Sequence, residues 1–217
     1  AAADAEILGI GVDSNQNGLQ PGNEGLCARI NATPVANSLQ QLKRWRDAAI
    51  ELGRKLPVVL QFDTGMSRLG IAPEERAGIS EILSGGHLEV LFIMSHLACA
   101  DESDHPQNAR QLAEMQRAAS EFSGCKLCFA NSGGVFLGAD YHGSLVRPGI
   151  ALYGGAPTFG VANPMEPVVR LDVAVVQTRK VPAGTAIGYG ASFVATSEMR
   201  LATIAAGYAD GLPRSLS

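Results

Sequence analysis

The chain is predicted to be an α/β protein with a parallel sheet. Two observations lead there: short, nearly unbroken apolar runs recur as far as Gly155, and helical periodicity fills the stretches between them. Strand, helix, strand with apolar strands describes a sheet covered on both faces. A third observation marks a boundary. After Gly155 the helical pattern stops, and "VVRLDVAVVQTRKV" (168–181) and "RLATIAAGYADG" (200–211) read as longer strands separated by glycine and proline, the start of a second, mostly β domain.

The strand candidates of the first part are "AEILGI" (5–10), "TPVAN" (33–37), "PVVLQFD" (57–63), "LEVLFIMSHL" (88–97), "KLCFANS" (126–132) and "SLVRPGIALYG" (144–154). Leu39, Leu42, Trp45, Ala49 and Leu52 recur at helical spacing, and Ser38 with Gln41 makes a capping box for that helix. Pro73 suits the first turn of a second helix, which Gly85 and Gly86 close. A third helix runs from Pro106 to Phe122 and is stopped by Gly124.

An open doubly wound sheet and a closed barrel both fit this order. A dinucleotide-binding sheet wants G-x-G-x-x-G after a strand, but Gly9 and Gly11 are followed by Ser14 where the third glycine belongs, and no G-x-x-x-x-G-K loop occurs. The barrel is favoured because polar residues end several strands: Asp63 and Arg68, His96, Asn131 and Ser132, and Arg147. In a (β/α)8 TIM-type barrel those ends converge on one mouth, where chemistry is done. About six of the eight strands are present. The expected division is a partial barrel over 1–155 and the beginning of a C-terminal β domain over 156–217.

Composition excludes several classes. A formal charge of −4 over 217 residues argues against a nucleic-acid partner, and no apolar stretch is long enough for a membrane span. No basic region precedes the apolar residues of "AAADAEILGI", so no signal peptide is expected. Four cysteines are too few for a disulfide scaffold, and the C-x-x-C of Cys125 and Cys128 runs into a strand where a redox motif would open a helix. A reduced, cytoplasmic protein is expected.

Several residues carry chemistry. Arg147 is followed by Pro148, Gly149 and Ile150, and a glycine there lets a backbone N–H approach an anion closely. Ser132 in "NSGG" adds a hydroxyl beside two glycines, so the two segments together suit a phosphate cup, although each alone reads as a turn. His96 is as much a satisfied core histidine as a functional one. Asp101, Asp104 and His105 follow it without metal-ligand spacing, so no metal site is expected. Tyr208 reads as half-buried packing, or as a base if a neighbour eases loss of a proton whose ordinary pKa is about 10. In "VVLQFDTGMSRLG" (58–70), Arg68 lies in a loop at a strand end and suits an anion.

The segments "FDTGMSRLG", "MSHLACAD", "ANSGG", "VRPGIALYG", "AIGYGASF" and "GYADGLPR" occur in the order and approximate spacing of bacterial alanine racemases, and "NATPVANSLQQL" resembles that family too. The resemblance covers nearly the whole chain. It implies a pyridoxal 5'-phosphate enzyme with an N-terminal (β/α)8 barrel and a C-terminal β domain, acting as a head-to-tail homodimer. Arg68 resembles the arginine that approaches the substrate carboxylate, an anion suited to a guanidinium fork. Met66 resembles a cavity-wall residue, and His96 the histidine linking the catalytic tyrosine to the cofactor's arginine. Ser132, Gly149 and Ile150 match phosphate-binding positions, with Asn131 beside them. Arg147 matches the arginine bonded to the pyridine nitrogen; a guanidinium cannot accept a proton and leaves that nitrogen unprotonated. Tyr208 matches one of two bases, reaching the site from the partner subunit.

Two departures stand out. Gln61 occupies a position where many members carry a lysine, sometimes carbamylated; it can hydrogen-bond Arg68 but cannot carry a carbamate. The second base is the lysine that holds the cofactor as a Schiff base at the end of the first barrel strand. None of Lys43, Lys55, Lys126 and Lys180 ends a barrel strand, so an internal fragment, inactive by itself, is expected. The implied reaction of the parent is two-base interconversion of L- and D-alanine, for the cell wall or for alanine catabolism. A broad-specificity racemase of the same fold and a non-catalytic cofactor-binding barrel are the alternatives.

Overall fold

The computed structural model describes residues 18–213. Its first unit, which ends at Val168, alternates helix and strand: α1 (Glu24–Arg29), β1 (Val35–Ala36), α2 (Leu39–Glu51), β2 (Leu56–Gln61), α3 (Ala77–Leu83), β3 (Leu88–Met94), α4 (Pro106–Glu121) and β4 (Lys126–Cys128). The four strands are parallel and pair in the order in which the chain makes them. This is one wall of a (β/α)8 barrel.

Alternation along β2 separates two packing faces. Val58, Leu60 and, just past the strand, Phe62 cluster with Leu42 and Trp45 of α2, Ile79 and Ile82 of α3 and Met115 of α4. Val59 belongs to the opposite cluster, with Phe92, Met94 and Cys128. The register sets Gln61 beside Met94, and Met94 beside Cys128. That row crosses three strands at their C-terminal ends, on the face away from the helices.

Local chemistry explains the helices. Ser38 caps α2, its Oγ accepting from the Gln41 N–H at 3.2 Å. Gln41 reaches back as a capping box requires, but its Oε1 accepts from Asn37 N–H at 2.7 Å, one residue earlier than the simple motif predicts. Trp45 ties α2 to the sheet by donating its Nε1–H to the Pro57 carbonyl at 2.8 Å. Pro73 begins a 3-10 turn ahead of α3, and Pro106 opens α4, where His105 Nδ1 accepts from the Gln107 N–H. His105 is therefore a helix cap.

Of the six strand candidates, 5–10 lies outside the described residues. The candidate at 144–154 keeps a single parallel bridge, Leu145 with Cys128, before a 3-10 turn over Ile150–Tyr153. Pro148 has no N–H to give to a ladder, and Gly149 leaves the extended region at φ −113°, ψ −86°. An apolar run alone does not distinguish these outcomes.

The second unit, from Val169, holds β5 (Val175–Val181), β6 (Ala186–Ile187), β7 (Phe193–Val194) and β8 (Met199–Ile204). Here β5 pairs with β8 and β6 with β7, both antiparallel. Among the described residues no helix is long and apolar enough to cross a membrane.

Candidate active site

The segments leaving β2, β3 and β4 build the site. Past β2, one oxygen of Asp63 accepts from the N–H groups of Gly65, Met66 and Ser67 at 2.9, 3.1 and 3.1 Å, so the loop curls around a single carboxylate. Gly65 has φ +126°, a backbone conformation that favours glycine, and a Cβ there would also push on the Gln107 amide 2.6 Å away. The curl places Met66 on a cavity wall and Arg68 on the exposed part of the loop.

The cavity has a volume of about 880 Å³, the scale of a small-molecule site. Met66, His96, Asn131, Ser132, Arg147, Gly149 and Ile150 all line it, with Gln61 and Met94 from the strand-end row. Residues as far apart in the chain as Gln61 and Ile150 thus meet at one mouth.

Arg147 is the hub. Its backbone N–H donates to the Ala130 carbonyl at 2.8 Å, anchoring the segment beside the exit of β4. Its Nε–H donates to Cys128 Sγ at 3.1 Å, Nη2 to the Ser95 carbonyl at 2.5 Å and Nη1 to His96 Nδ1 at 3.2 Å. Since a guanidinium only donates, Nδ1 of His96 must accept, and the imidazole proton sits on Nε2. Burial lowers the His96 pKa from 6.5 to about 4, helped by the charges of Arg147 and Arg68, so the ring is neutral at pH 7. Burial pushes the Cys128 thiol up, with Arg147 opposing, and that residue too stays neutral.

Asn131 is fixed by two bonds: its Nδ2 donates to the Leu97 carbonyl at 3.1 Å and its Oδ1 accepts from the Gly134 N–H at 3.0 Å. In that orientation the amide N–H₂ faces His96 Nε2 at 3.5 Å, donor toward donor. The Nε2–H is thereby left for another acceptor.

Ser132 sits at 7 % exposure, its Oγ accepting from the Gly149 N–H at 2.8 Å and the Ala151 N–H at 3.3 Å. With both lone pairs engaged, the hydroxyl retains its proton for donation. A Cβ added at Gly149 would meet no protein atom within 4 Å, whereas one at Gly133 would strike the Ala100 carbonyl at 2.6 Å. The first glycine keeps space beside the cavity open; the second permits backbone packing. Neutral imidazole, donor hydroxyl, open glycine and the Arg147 guanidinium fit a phosphorylated, aromatic, anionic cofactor, while Arg68 stays outside the cavity lining.

Tyr208 belongs to the second unit, in a 3-10 turn over Tyr208–Asp210, and its side chain is largely exposed. Sequence reasoning passed over Gln111 and the role of Cys128. A signal for Gln111 existed: Asn108, Gln111, Met115 and Ala118 share the buried stripe of α4, and two amides in such a stripe need partners.

Comparison with known proteins follows the same lines. The family model for the alanine racemase N-terminal domain matches residues 14–157, and that for the C-terminal domain matches 168–217. The catabolic alanine racemase of Agrobacterium fabrum is 62% identical over 93% of this chain and 52% of its own length. That of Rhizobium johnstonii is 63% identical over 100% and 56%. The chain thus spans about half the length of the curated relatives it matches. Among solved structures, the alanine racemase of Bartonella henselae with covalently bound pyridoxal phosphate superposes with a TM-score of 0.81 at 39% identity, over 92% of this chain and 56% of that one. The biosynthetic alanine racemase of Pseudomonas aeruginosa does so with a TM-score of 0.79 at 30% identity, over 91% and 55%. Matched in order by the models of both its domains, the chain belongs to the alanine racemase family.

Proposed function

We infer that this chain is part of a pyridoxal-phosphate-dependent alanine racemase. The observation that carries the reading is the Arg147 to His96 hydrogen bond at a cavity wall shared with Ser132 and Gly149. Pyridoxal phosphate, when bound, withdraws electrons from the substrate α-carbon and makes its proton acidic. The chain's own residues do the rest.

Arg147, permanently protonated, would present donors to the pyridine nitrogen and so would keep it free of a proton. Ser132, with Gly149 and Ile150, receives the phosphate, and Asn131 holds the loop between them. Arg68 receives the alanine carboxylate, and Met66 limits the side chain to a small group. His96, through its Nε2–H, orients the phenolic oxygen of Tyr208, which acts as one base across a homodimer interface. The opposite base is the cofactor lysine of the full-length enzyme. With a base on each face of the α-carbon, one would take the proton and the other would return one from the opposite side, inverting the centre. The relatives at 62% and 63% identity are named catabolic, which favours alanine breakdown over cell-wall supply.

The test is the full-length protein supplied with pyridoxal phosphate. Cofactor absorbance together with interconversion of L- and D-alanine is expected. Cofactor binding without turnover would favour a binding protein, and faster turnover of large amino acids than of alanine a broad-specificity racemase; either overturns the reading.

A further inference from the structure

On α4, Gln107 and Gln111 lie one turn apart on one face and reach the exits of β2 and β3. Gln107 donates from Nε2 to the Gly65 carbonyl at 2.7 Å. Gln111, wholly buried at 0 % exposure, is bonded on both sides of its amide. Its Oε1 accepts from the Ala98 N–H at 2.9 Å, while its Nε2 donates to the His96 carbonyl at 2.9 Å and to Thr64 Oγ1 at 3.1 Å. These partners fix the amide's orientation, because a backbone N–H can only donate and a carbonyl can only accept.

The bonds continue as a directed relay. Ser95 Oγ donates to the Phe62 carbonyl at 2.8 Å, so in the 2.7 Å pair of hydroxyls Thr64 donates to Ser95. Thr64 Oγ1 in turn accepts from Gln111. The Ser95 carbonyl takes a guanidinium N–H of Arg147. None of Thr64, Ser95 and Gln111 lines the cavity, and all three are buried. One side chain therefore grips the main chain on either side of Leu97, at His96 and Ala98, and also the loop that leads to Arg68.

We propose that Gln111 is a positioning residue, setting His96 against Arg147 and, through Thr64, holding the Arg68 loop in the same frame. For its catalytic consequence this rests on the racemase reading; for its structural consequence it does not. A buried glutamine that merely stabilised the helix would contribute to unfolding free energy and leave the imidazole unaffected. A positioning one controls how deeply that ring is held beside the two arginines.

The test uses full-length Gln111→Met, which keeps length and burial but gives no hydrogen bonds, and Gln111→Glu, which keeps shape and the acceptor. NMR titration of the His96 imidazole is the first readout. A rise of about one unit from the parent's value is expected, as the loosened ring gains solvent. At temperatures well below melting, kcat/KM for alanine should fall about tenfold or more. A His96 titration identical to the parent's, in whichever variant folds, overturns the proposal even if the melting temperature drops. A parent without racemase activity sinks the functional reading instead, while the titration still judges Gln111.

Discussion

Arg147 donates a hydrogen bond to Nδ1 of His96 at 3.2 Å, and the ring nitrogen that accepts it belongs to a neutral imidazole. Protonating that ring would set two cations side by side and remove the acceptor. Both effects act in the direction that burial already sets.

His96 should therefore stay neutral far below the range of an ordinary histidine. Between its ordinary 6.5 and about 4, the unfolded chain binds a proton that the folded chain refuses. Stability contributed by this group is then complete above 6.5 and is lost as the pH falls through that window. NMR titration of the imidazole nitrogens checks this, and a midpoint near 6.5 in the folded protein would refute it.

Ser132→Ala should weaken cofactor binding in the full-length enzyme about tenfold, the scale of one hydrogen bond to a charged group. The change removes a donor toward the phosphate and also frees the N–H groups of Gly149 and Ala151. Titration of the apoenzyme with pyridoxal phosphate measures it; an unaltered Kd excludes Ser132 from the cup.

Trp45→Ala should destabilise the first unit by about 3–5 kcal/mol, the range for losing a large buried aromatic ring. The ring is 1 % exposed, packs in the main core cluster and bridges to Pro57. Urea unfolding followed by circular dichroism gives the value. A loss below about 1 kcal/mol would mean that α2 can repack over β2 without it.

Tyr208→Phe in the full-length enzyme should block α-proton removal from one enantiomer of alanine and spare it from the other. Solvent deuterium exchange into L- and D-alanine, followed separately, reveals the asymmetry. Equal exchange from both enantiomers at parental rates would remove Tyr208 from the reaction.

What the sequence disclosed depended on the range of each interaction. The caps at Ser38, Pro73 and Pro106 were legible because their partners lie within a turn. The barrel wall was legible because Leu56–Gln61 and Leu88–Met94 are apolar on both faces, as parallel strands must be. The run at 144–154 misled, since nothing in its hydropathy separates a strand from a bridge followed by a 3-10 turn. The pairing of His96 with Arg147 spans 51 positions, and no spacing rule reaches that far; only the likeness to a family suggested it. Gln111 was hidden for another reason. Its meaning lies in backbone atoms of Ala98 and His96 and in Thr64 Oγ1, whose positions exist only once the strands have paired.

Every partner that the structure gives the Arg147 guanidinium is uncharged: a thiol, a peptide carbonyl and a neutral imidazole. They satisfy its geometry without cancelling its field. A doubly ionised phosphate ester diffusing nearby meets a standing attraction, and its capture should quicken as ionic strength is lowered.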